Sequence, residues 1–442
     1  MLSRALSFRY TLRCIKNDTI KFGTAATKKT DQATVKEDEK QSGIKPVKLS
    51  RSKELFKYLE SQKGSYDIES LASPYLLKIH QVVPESLYLV SSSTAKSIVN
   101  LIGDKLKGNI PVVEVNPGIG CLTKELLNYG ITDLCLFESS PFHQTSLTNL
   151  CNQHKNLTLT IGDFFGLWKL EYQDKMDGGN RMEAFFNVVN RNVMQDDVAM
   201  KIVGAMPSLN FIKYLTRSIV FQKGFIEVGR PELYIALPPS SYYGLVPLDS
   251  SEENAVYRYL PVLFNLFCDI ELLAKVPRRD FLPWQTEKSL NKSSKKEKLK
   301  QYDQKHLFIV HIKMKPVLPC KAEHLPLLWY FFKHHLLSKY NRVIPMLEQW
   351  IPGCGVWLIT GQDPPGSNAD TLPDENDAPL PRLTIFTQFS DLSPAEKVTI
   401  FKKFISWPEF RHCPFQEAMD NHISKNLASS VDMKDEILEQ EE

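Results

Sequence analysis

A predicted strand, a glycine turn and a helix follow one another between Val112 and Gly130, and this unit constrains the fold more than any other feature. Its sequence, VVEVNPGIGCLTKELLNYG, leads through Gly118 and Gly120 into a helix that begins near Cys121. Glycines let the backbone approach a ligand closely, and the first amides of the helix are free to bind it. A dinucleotide fingerprint would need a third glycine at Thr123. The unit therefore predicts a cofactor site in an α/β sheet and disfavours a pyrophosphate cofactor.

The spacing of residues within this turn is typical of methyltransferases. These enzymes place an acid at the end of the strand and glycines at alternate positions after it. Glu114, Asn116, Gly118 and Gly120 lie in that register. A lone glycine turn is a weak signal, so the interpretation depends on the strands that follow.

The next two predicted strands also end in acids. Glu138 ends the strand that starts at Leu134, eighteen residues past Gly120, where a carboxylate can accept hydrogen bonds from two ribose hydroxyl groups. Asp163 ends the third strand and is suited to receive an adenine amino group, with Phe164 able to cover the ring. A single acid is more often a solvated strand end. Three in succession in one sheet predict a site for S-adenosyl-L-methionine.

The pattern of apolar runs predicts the fold class. From about Leu55 to Leu245, short β-rich runs alternate with longer helical stretches, as in a parallel sheet with helices on both faces. We predict an α/β protein with a doubly wound, Rossmann-like methyltransferase sheet over residues 55–316. Strands are predicted at 112–115, 134–137, 157–161, 201–203, 233–237, 269–276 and 307–313. The last two have no helical pattern between them and are expected to form an antiparallel pair at the sheet edge.

A lysine-rich insert at 285–304 separates these last two strands. Its central sequence, KSLNKSSKKEKLK, contains six lysines and one glutamate. The insert is equally well interpreted as a solvated loop or as an arm that contacts phosphates. In the second interpretation the contacting residues are Lys292, Lys295, Lys296 and Lys298. With few apolar residues, it is expected to be mobile in either case.

Residues 317–425 are predicted to form a smaller helical domain. Trp329, Phe332 and Leu336 recur at helical spacing and are expected in its core rather than as base-stacking surfaces. A Pro/Asp-rich loop at 363–382 precedes a helix whose start, Ser393 to Glu396, matches a capping box. Residues 426–442 form an acidic tail.

The amino terminus predicts import into mitochondria. Its first sixteen residues, MLSRALSFRYTLRCIK, contain basic but no acidic side chains, and apolar residues share one helical face. This is typical of a mitochondrial transit peptide, and no continuous apolar segment indicates secretion. The alternative is an ordinary surface helix or disordered arm. We predict a transit peptide at 1–30, a disordered linker at 31–54 and a location in the mitochondrial matrix.

Composition excludes several other classes. The eight cysteines form no C-x-x-C pair, so neither a disulfide framework nor a metal site is predicted. Apolar runs fall short of the roughly 20 residues of a membrane-spanning helix, so no membrane insertion is expected. The net charge of +3 is too small to argue for nucleic-acid binding by itself.

Five segments together resemble a known family across about residues 88–332. They are Leu87-Tyr88-Leu89-Val90, Glu114 to Gly120, Glu138, Gly162-Asp163-Phe164-Phe165 and Val203 to Ser208. The chain resembles the rRNA adenine N6-dimethyltransferases, most closely their mitochondrial transcription factor B branch. The resemblance implies a methyltransferase domain with a smaller helical domain. It also implies contacts to S-adenosyl-L-methionine at Leu89, Gly118, Glu138 and Asp163.

The fourth motif departs from the family pattern. Active members carry Asn-Leu-Pro-Tyr or a close variant, whose polar groups hold the target adenine and whose ring stacks on it. This chain has Ala205, Met206, Pro207 and Ser208 instead. A hydrogen bond and a stacking contact of roughly 1–3 kcal/mol are therefore missing. Phe211 could replace the platform, although it is rather expected as a buried helix residue. Methyl transfer is expected to be weak or vestigial.

Three functions follow from these observations. The first is a mitochondrial transcription initiation factor that binds promoter DNA and RNA and acts with the mitochondrial RNA polymerase. The second is an active dimethylase of adenines in mitochondrial small-subunit rRNA. The third, a methyltransferase for a small metabolite, is disfavoured because the lysine-rich insert and the helical domain suit a polymeric ligand better.

Overall fold

The computed structural model describes residues 51–62, 68–187, 189, 198–246, 258–286, 295–373, 375 and 377–428. The strands of the described part are β1 (Tyr88–Leu89), β2 (Val112–Val115), β3 (Leu134–Glu138), β4 (Leu157–Ile161), β5 (Val198–Ala205), β6 (Arg230–Leu237), β7 (Cys268–Pro277), β8 (Phe281–Leu282) and β9 (His306–Met314). All seven predicted strands are present. Only the short pair β1 and β8 was not anticipated.

Seven strands form one sheet in the order β4-β3-β2-β5-β6-β9-β7. The first five are parallel, and β9 and β7 pair antiparallel at one edge. The predicted α/β methyltransferase-type sheet and its antiparallel edge pair are confirmed. The chain runs outward from β2 to β4 and returns at β5, so β2 and β5 flank the point where strand order reverses. Ligands of open α/β sheets bind at that point, beyond the carboxyl ends of the strands.

Helices cover the sheet and continue into the carboxyl-terminal region. Those of the sheet region are α1 (Arg51–Gln62), α2 (Ile68–Leu71), α3 (Ser92–Leu106), α4 (Cys121–Tyr129), α5 (Gln144–Gln153), α6 (Leu167–Asp177), α7 (Arg181–Phe185), α8 (Asn210–Phe221), α9 (Phe225–Val228), α10 (Pro239–Leu245), α11 (Tyr259–Phe267) and α12 (Lys295–Asp303). Those that follow are α13 (Leu325–His335), α14 (Val343–Glu348), α15 (Cys354–Thr360), α16 (Pro394–Ser406) and α17 (Phe415–Ala428). No helix in these described segments has the length and apolar character needed to cross a membrane.

The carboxyl-terminal helices share a hydrophobic core with one face of the sheet. Phe264 of α11, Phe331 of α13 and Phe404 of α16 are all buried in that core. Trp329 packs its ring against Phe221 of α8, with centroids 5.6 Å apart, as expected of a packing residue. The predicted capping box is present, because the amide of Glu396 donates to Ser393 Oγ and Glu396 accepts from the amide of Ser393.

Helix α12 occupies part of the insert that was predicted to be a mobile loop, and that prediction is wrong for residues 295–303. The end of the helix is anchored, because Asp303 accepts a hydrogen bond of 2.8 Å from the amide of Ser240. The ring of Tyr302 also lies 5.9 Å from that of Phe308. Lys295, Lys296 and Lys298 lie in this helix, whereas Lys292 lies outside the described residues.

The boundaries of the predicted linker and tail also differ. Helix α1 begins at Arg51, so residues 51–54 are not disordered. Burial of Leu55 and Leu59 and a 2.8 Å hydrogen bond from Tyr58 Oη to Asp280 Oδ1 hold this helix against the sheet region. Helix α17 continues to Ala428, into the segment predicted as an acidic tail. The predicted transit peptide at 1–30 lies outside the described residues.

Candidate functional site

The turn after β2 has a left-handed backbone at three positions. Asn116, Gly118 and Gly120 have φ values of 56°, 58° and 79°. Asparagine tolerates this region better than most residues, and such conformations concentrate at ligand sites. A β-carbon at Gly118 would lie 2.6 Å from Cδ1 of Tyr88, so only glycine fits beneath that ring.

A small cavity opens beside this turn, at the point where strand order reverses. Its wall is mostly apolar, and Glu114 and Asn116 contribute polar groups. Residues around it include Leu89, Glu114, Asn116, Ala205, Tyr234 and Phe281.

Glu114 and Asn116 each bring an unpartnered polar atom to this cavity. Glu114 is 1% exposed, and its Oε2 has no hydrogen-bond partner among the described residues. Burial raises the pKa of Glu114 to about 8, although Thr123 opposes the shift. The Nδ2 of buried Asn116 is likewise without a partner there. Buried polar atoms without a partner are rare in native structures, and a bound polar ligand is one way to satisfy them.

Glu138, at the end of β3, is completely buried. Its Oε2 accepts a 2.9 Å hydrogen bond from the amide of Gly118, and its Oε1 accepts one of 2.7 Å from the amide of Ser140. Tyr88 Oη donates to the same Oε1 at 3.2 Å. Burial raises the pKa of Glu138, and the two amides oppose the shift. This carboxylate therefore fastens the glycine turn to β3 and is not a solvated strand end.

Asp163 caps the turn after β4. It accepts a hydrogen bond of 2.9 Å from the amide of Gly166 and lies 3.3 Å from Lys169 Nζ. The interpretation of Phe164 as a cover for an adenine ring is wrong, because the side chain is fully buried. Its ring packs 5.2 Å from that of Phe137 in an aromatic core. The cap at Asp163 turns the chain so that the next ring points into that core.

The fourth motif follows β5 at the edge of the cavity. Ala205 and Met206 are buried, and Pro207 and Ser208 are half-buried. Phe211 is 1% exposed and packs against Phe164 and Phe165, so it does not offer a face to a base. Ala205, which lines the cavity, therefore presents a methyl group where the active family pattern carries an amide.

Comparison with known proteins assigns the family. The family model for ribosomal RNA adenine dimethylase matches residues 85–353. The protein named dimethyladenosine transferase 2, mitochondrial, of Drosophila melanogaster is 33% identical over 83% of this chain and 89% of its own length. The chain belongs to the ribosomal RNA adenine dimethylase family. The protein of the same name in Bos taurus is 24% identical over 48% of this chain and 55% of its own. The crystal structure of the 23S rRNA methyltransferase ErmE covers 72% of this chain and 99% of its own, with 13% identity and a TM-score of 0.42.

The cofactor-binding residues predicted from sequence fall into two groups. Leu89 and Glu114 line the cavity. Gly118 and Glu138 are joined to each other by a hydrogen bond but do not line it, and neither do Gly120 and Asp163. The unexpected element is Tyr88, which lies over the turn and bonds to Glu138.

The chain also presents an aromatic and basic surface that was not predicted from the sequence. Tyr340 and Phe386 are 69% and 67% exposed. Lys339 Nζ lies 5.1 Å from the ring centre of Tyr340, and the guanidinium of Arg342 lies 5.3 Å from that of Phe386. We call these four residues the C-terminal aromatic surface. The signal was present in Ser338 to Arg342, where basic and aromatic residues intermingle.

Backbone hydrogen bonds hold the two loops of this surface together. The amide of Val343 donates to the carbonyl of Thr387 at 2.9 Å, and the amide of Phe389 donates to the carbonyl of Asn341 at 2.9 Å. The rings are therefore exposed but carried on a fixed backbone. Such rings with adjacent cations are suited to stacking on nucleic-acid bases.

Replacement of Glu114 is expected to change how stability depends on pH. Its folded-state pKa of about 8 exceeds the ordinary 4.5, so the folded protein favours the protonated carboxyl group. This stabilisation is present below about pH 4.5 and is lost as the pH rises through about 8. Denaturation at pH 5, 6.5 and 8 should show wild-type stability falling relative to Glu114→Gln. Parallel pH profiles would contradict this assignment.

Proposed function

We propose that this protein is a mitochondrial transcription initiation factor that holds promoter DNA and RNA on a methyltransferase fold and acts with the mitochondrial RNA polymerase. The observation that carries the proposal is the fourth motif after β5, where Ala205, which lines the cavity, offers no amide and Ser208 offers no ring. A protein without these two groups can still bind nucleic acid, but it is poorly equipped to methylate an adenine base.

The residues of the cavity fit S-adenosyl-L-methionine as a cofactor. Its methionine part carries an ammonium group and a carboxylate. The carboxyl group of Glu114, whose Oε2 has no partner among the described residues, suits the ammonium once it ionises, and the unpartnered amide nitrogen of Asn116 suits the carboxylate. Leu89 would pack on the ligand, Glu138 would receive the ribose hydroxyls, and Asp163 the adenine amino group. When bound, the cofactor would supply an activated methyl group.

Nucleic acid would be held by two kinds of contact. Lys292, Lys295, Lys296 and Lys298 of the insert would contact phosphates, which adds affinity independent of sequence. The C-terminal aromatic surface would stack on unpaired bases, such as those of a melted promoter. Both kinds of contact can form with DNA and with RNA.

The alternative function is dimethylation of adenines in mitochondrial small-subunit rRNA. Membership of the rRNA adenine dimethylase family and the polar groups at Glu114 and Asn116 favour it. A small-metabolite substrate remains disfavoured, because the C-terminal aromatic surface suits a polymer. Mitochondrial location is supported by the names of the relatives, and we propose the matrix with residues 1–30 as the transit peptide.

The double variant Ala205→Asn, Ser208→Tyr tests which function the groove serves. It restores an acceptor and a ring at the end of β5, so it should gain methylation of the small-subunit rRNA hairpin over wild type. Tritium transfer from labelled S-adenosyl-L-methionine measures that gain, and run-off transcription measures promoter activity in parallel. Efficient methylation by wild type, with no gain in the variant, would support the alternative function instead.

A further inference from the structure

Tyr88 lies over the glycine turn and beside Glu138, the residue proposed to bind the ribose of the cofactor. The residue is 5% exposed, and its ring covers Gly118, the glycine whose backbone a ligand would approach. Its hydroxyl group donates to Glu138 Oε1 at 3.2 Å and lies 3.3 Å from Ser139 Oγ. Ser139 in turn donates to Asn116 Oδ1 at 3.0 Å. Hydrogen bonds thus link Tyr88 to Glu138 directly and to Asn116 through Ser139.

This arrangement divides the site into an open and a closed half. The open half is the cavity, with the unpartnered atoms of Glu114 and Asn116. The closed half contains Glu138, which is 0% exposed and accepts a hydrogen bond from the phenol hydroxyl. The ribose of a bound cofactor would therefore not reach Glu138 until Tyr88 moves.

We propose that Tyr88 is a built-in competitor for the ribose of the cofactor and thereby sets the affinity and the rate of cofactor binding. This inference rests on the proposed cofactor site. The hydrogen bond between Tyr88 and Glu138 has to break before the ribose can replace it. The net free energy of cofactor binding is therefore less favourable than it would be without this bond. In this role Tyr88 controls cofactor binding and does not act on the reacting atoms.

Tyr88→Phe tests the inference, since it keeps the ring over Gly118 and removes only the hydroxyl group. The dissociation constant for S-adenosyl-L-methionine, measured calorimetrically on the purified full chain, should fall roughly two- to tenfold, which corresponds to one net hydrogen bond. Without ligand, the same variant should melt at a lower temperature than wild type, because buried Glu138 loses a donor.

Tyr214→Phe is the matched control. Tyr214 on α8 is as buried as Tyr88, at 5% exposure, but it does not line the cavity, and its hydroxyl group accepts a hydrogen bond of 3.2 Å from the amide of Phe225. This variant should leave the dissociation constant unchanged. An affinity in Tyr88→Phe that is unchanged or weaker than wild type, with the fold intact, would overturn the inference.

A kinetic measurement on the wild-type protein tests the inference without any variant. In stopped-flow tryptophan fluorescence, the observed binding rate should reach a plateau at high cofactor concentration, because displacement of Tyr88 becomes limiting. An observed rate that rises linearly up to the highest cofactor concentration would contradict the proposed role of Tyr88. Failure of wild type, Tyr88→Phe and Tyr214→Phe to bind the cofactor at all would instead refute the proposed cofactor site.

Discussion

The double variant Tyr340→Ala, Phe386→Ala is expected to bind single-stranded DNA and RNA roughly thirtyfold or more weakly than wild type. Each base stacked on an aromatic ring contributes about 1–3 kcal/mol, and this variant removes two such rings. Both side chains are mostly exposed, so the fold should be unaffected. Fluorescence anisotropy with a labelled oligonucleotide of about 20 nucleotides measures the change.

Tyr172→Ala provides the control for this double variant. Tyr172 is also an exposed aromatic residue, at 38% exposure, but it lies on α6 away from the C-terminal aromatic surface. It should bind like wild type. The Ala variant of Lys292, Lys295, Lys296 and Lys298 should instead flatten the dependence of affinity on salt, because fewer counterions are released. Equal weakening by Tyr172→Ala would show that the aromatic surface is not a specific site.

Glu138→Gln is expected to abolish measurable binding of S-adenosyl-L-methionine and also to destabilise the protein. The variant loses the charged acceptor for the ribose and places an amide group against the donors of Gly118 and Ser140. Leaving a buried donor unsatisfied costs about 1–3 kcal/mol in the free energy of unfolding. An acid at a strand end would ordinarily contribute little to stability, but this one is fully buried and bonded.

Calorimetric titration and urea denaturation measure the two effects of Glu138→Gln separately. Glu271→Gln is a suitable control, because Glu271 lies on edge strand β7 with a side chain that is 59% exposed. It should leave both cofactor binding and stability near wild type. Retention of cofactor binding by a folded Glu138→Gln protein would remove Glu138 from the site.

Local patterns in the sequence predicted the sheet well. Strands β2 and β4 begin and end where the apolar runs do, because each run lies between a turn and a helix signal. The antiparallel pair β7 and β9 was also predicted, because the sequence between them shows no helical pattern, although helix α12 lies in the connection. Periodicity and glycine spacing depend on neighbours along the chain, and these patterns determine the fold class.

Contacts between distant residues were not predictable. Tyr88 and Glu138 are fifty residues apart, and their bond depends on the small sheet of β1 and β8 that brings Tyr88 over the glycine turn. The C-terminal aromatic surface likewise joins two loops through tertiary backbone hydrogen bonds. Helix α12 forms from a polar sequence because Asp303 and Tyr302 are anchored elsewhere in the fold. In each case tertiary contacts decide a structure that local propensity leaves open.

Promoter-dependent run-off transcription with the mitochondrial RNA polymerase tests the central claim most directly, when wild type and Glu138→Gln are compared at a temperature where both are folded. Melted DNA is held by phosphate contacts and stacking that do not involve this carboxylate. The transcript yields should therefore be equal, although the variant no longer binds S-adenosyl-L-methionine. Loss of transcription in parallel with loss of cofactor binding, in protein that remains folded, would contradict the separation of the two functions.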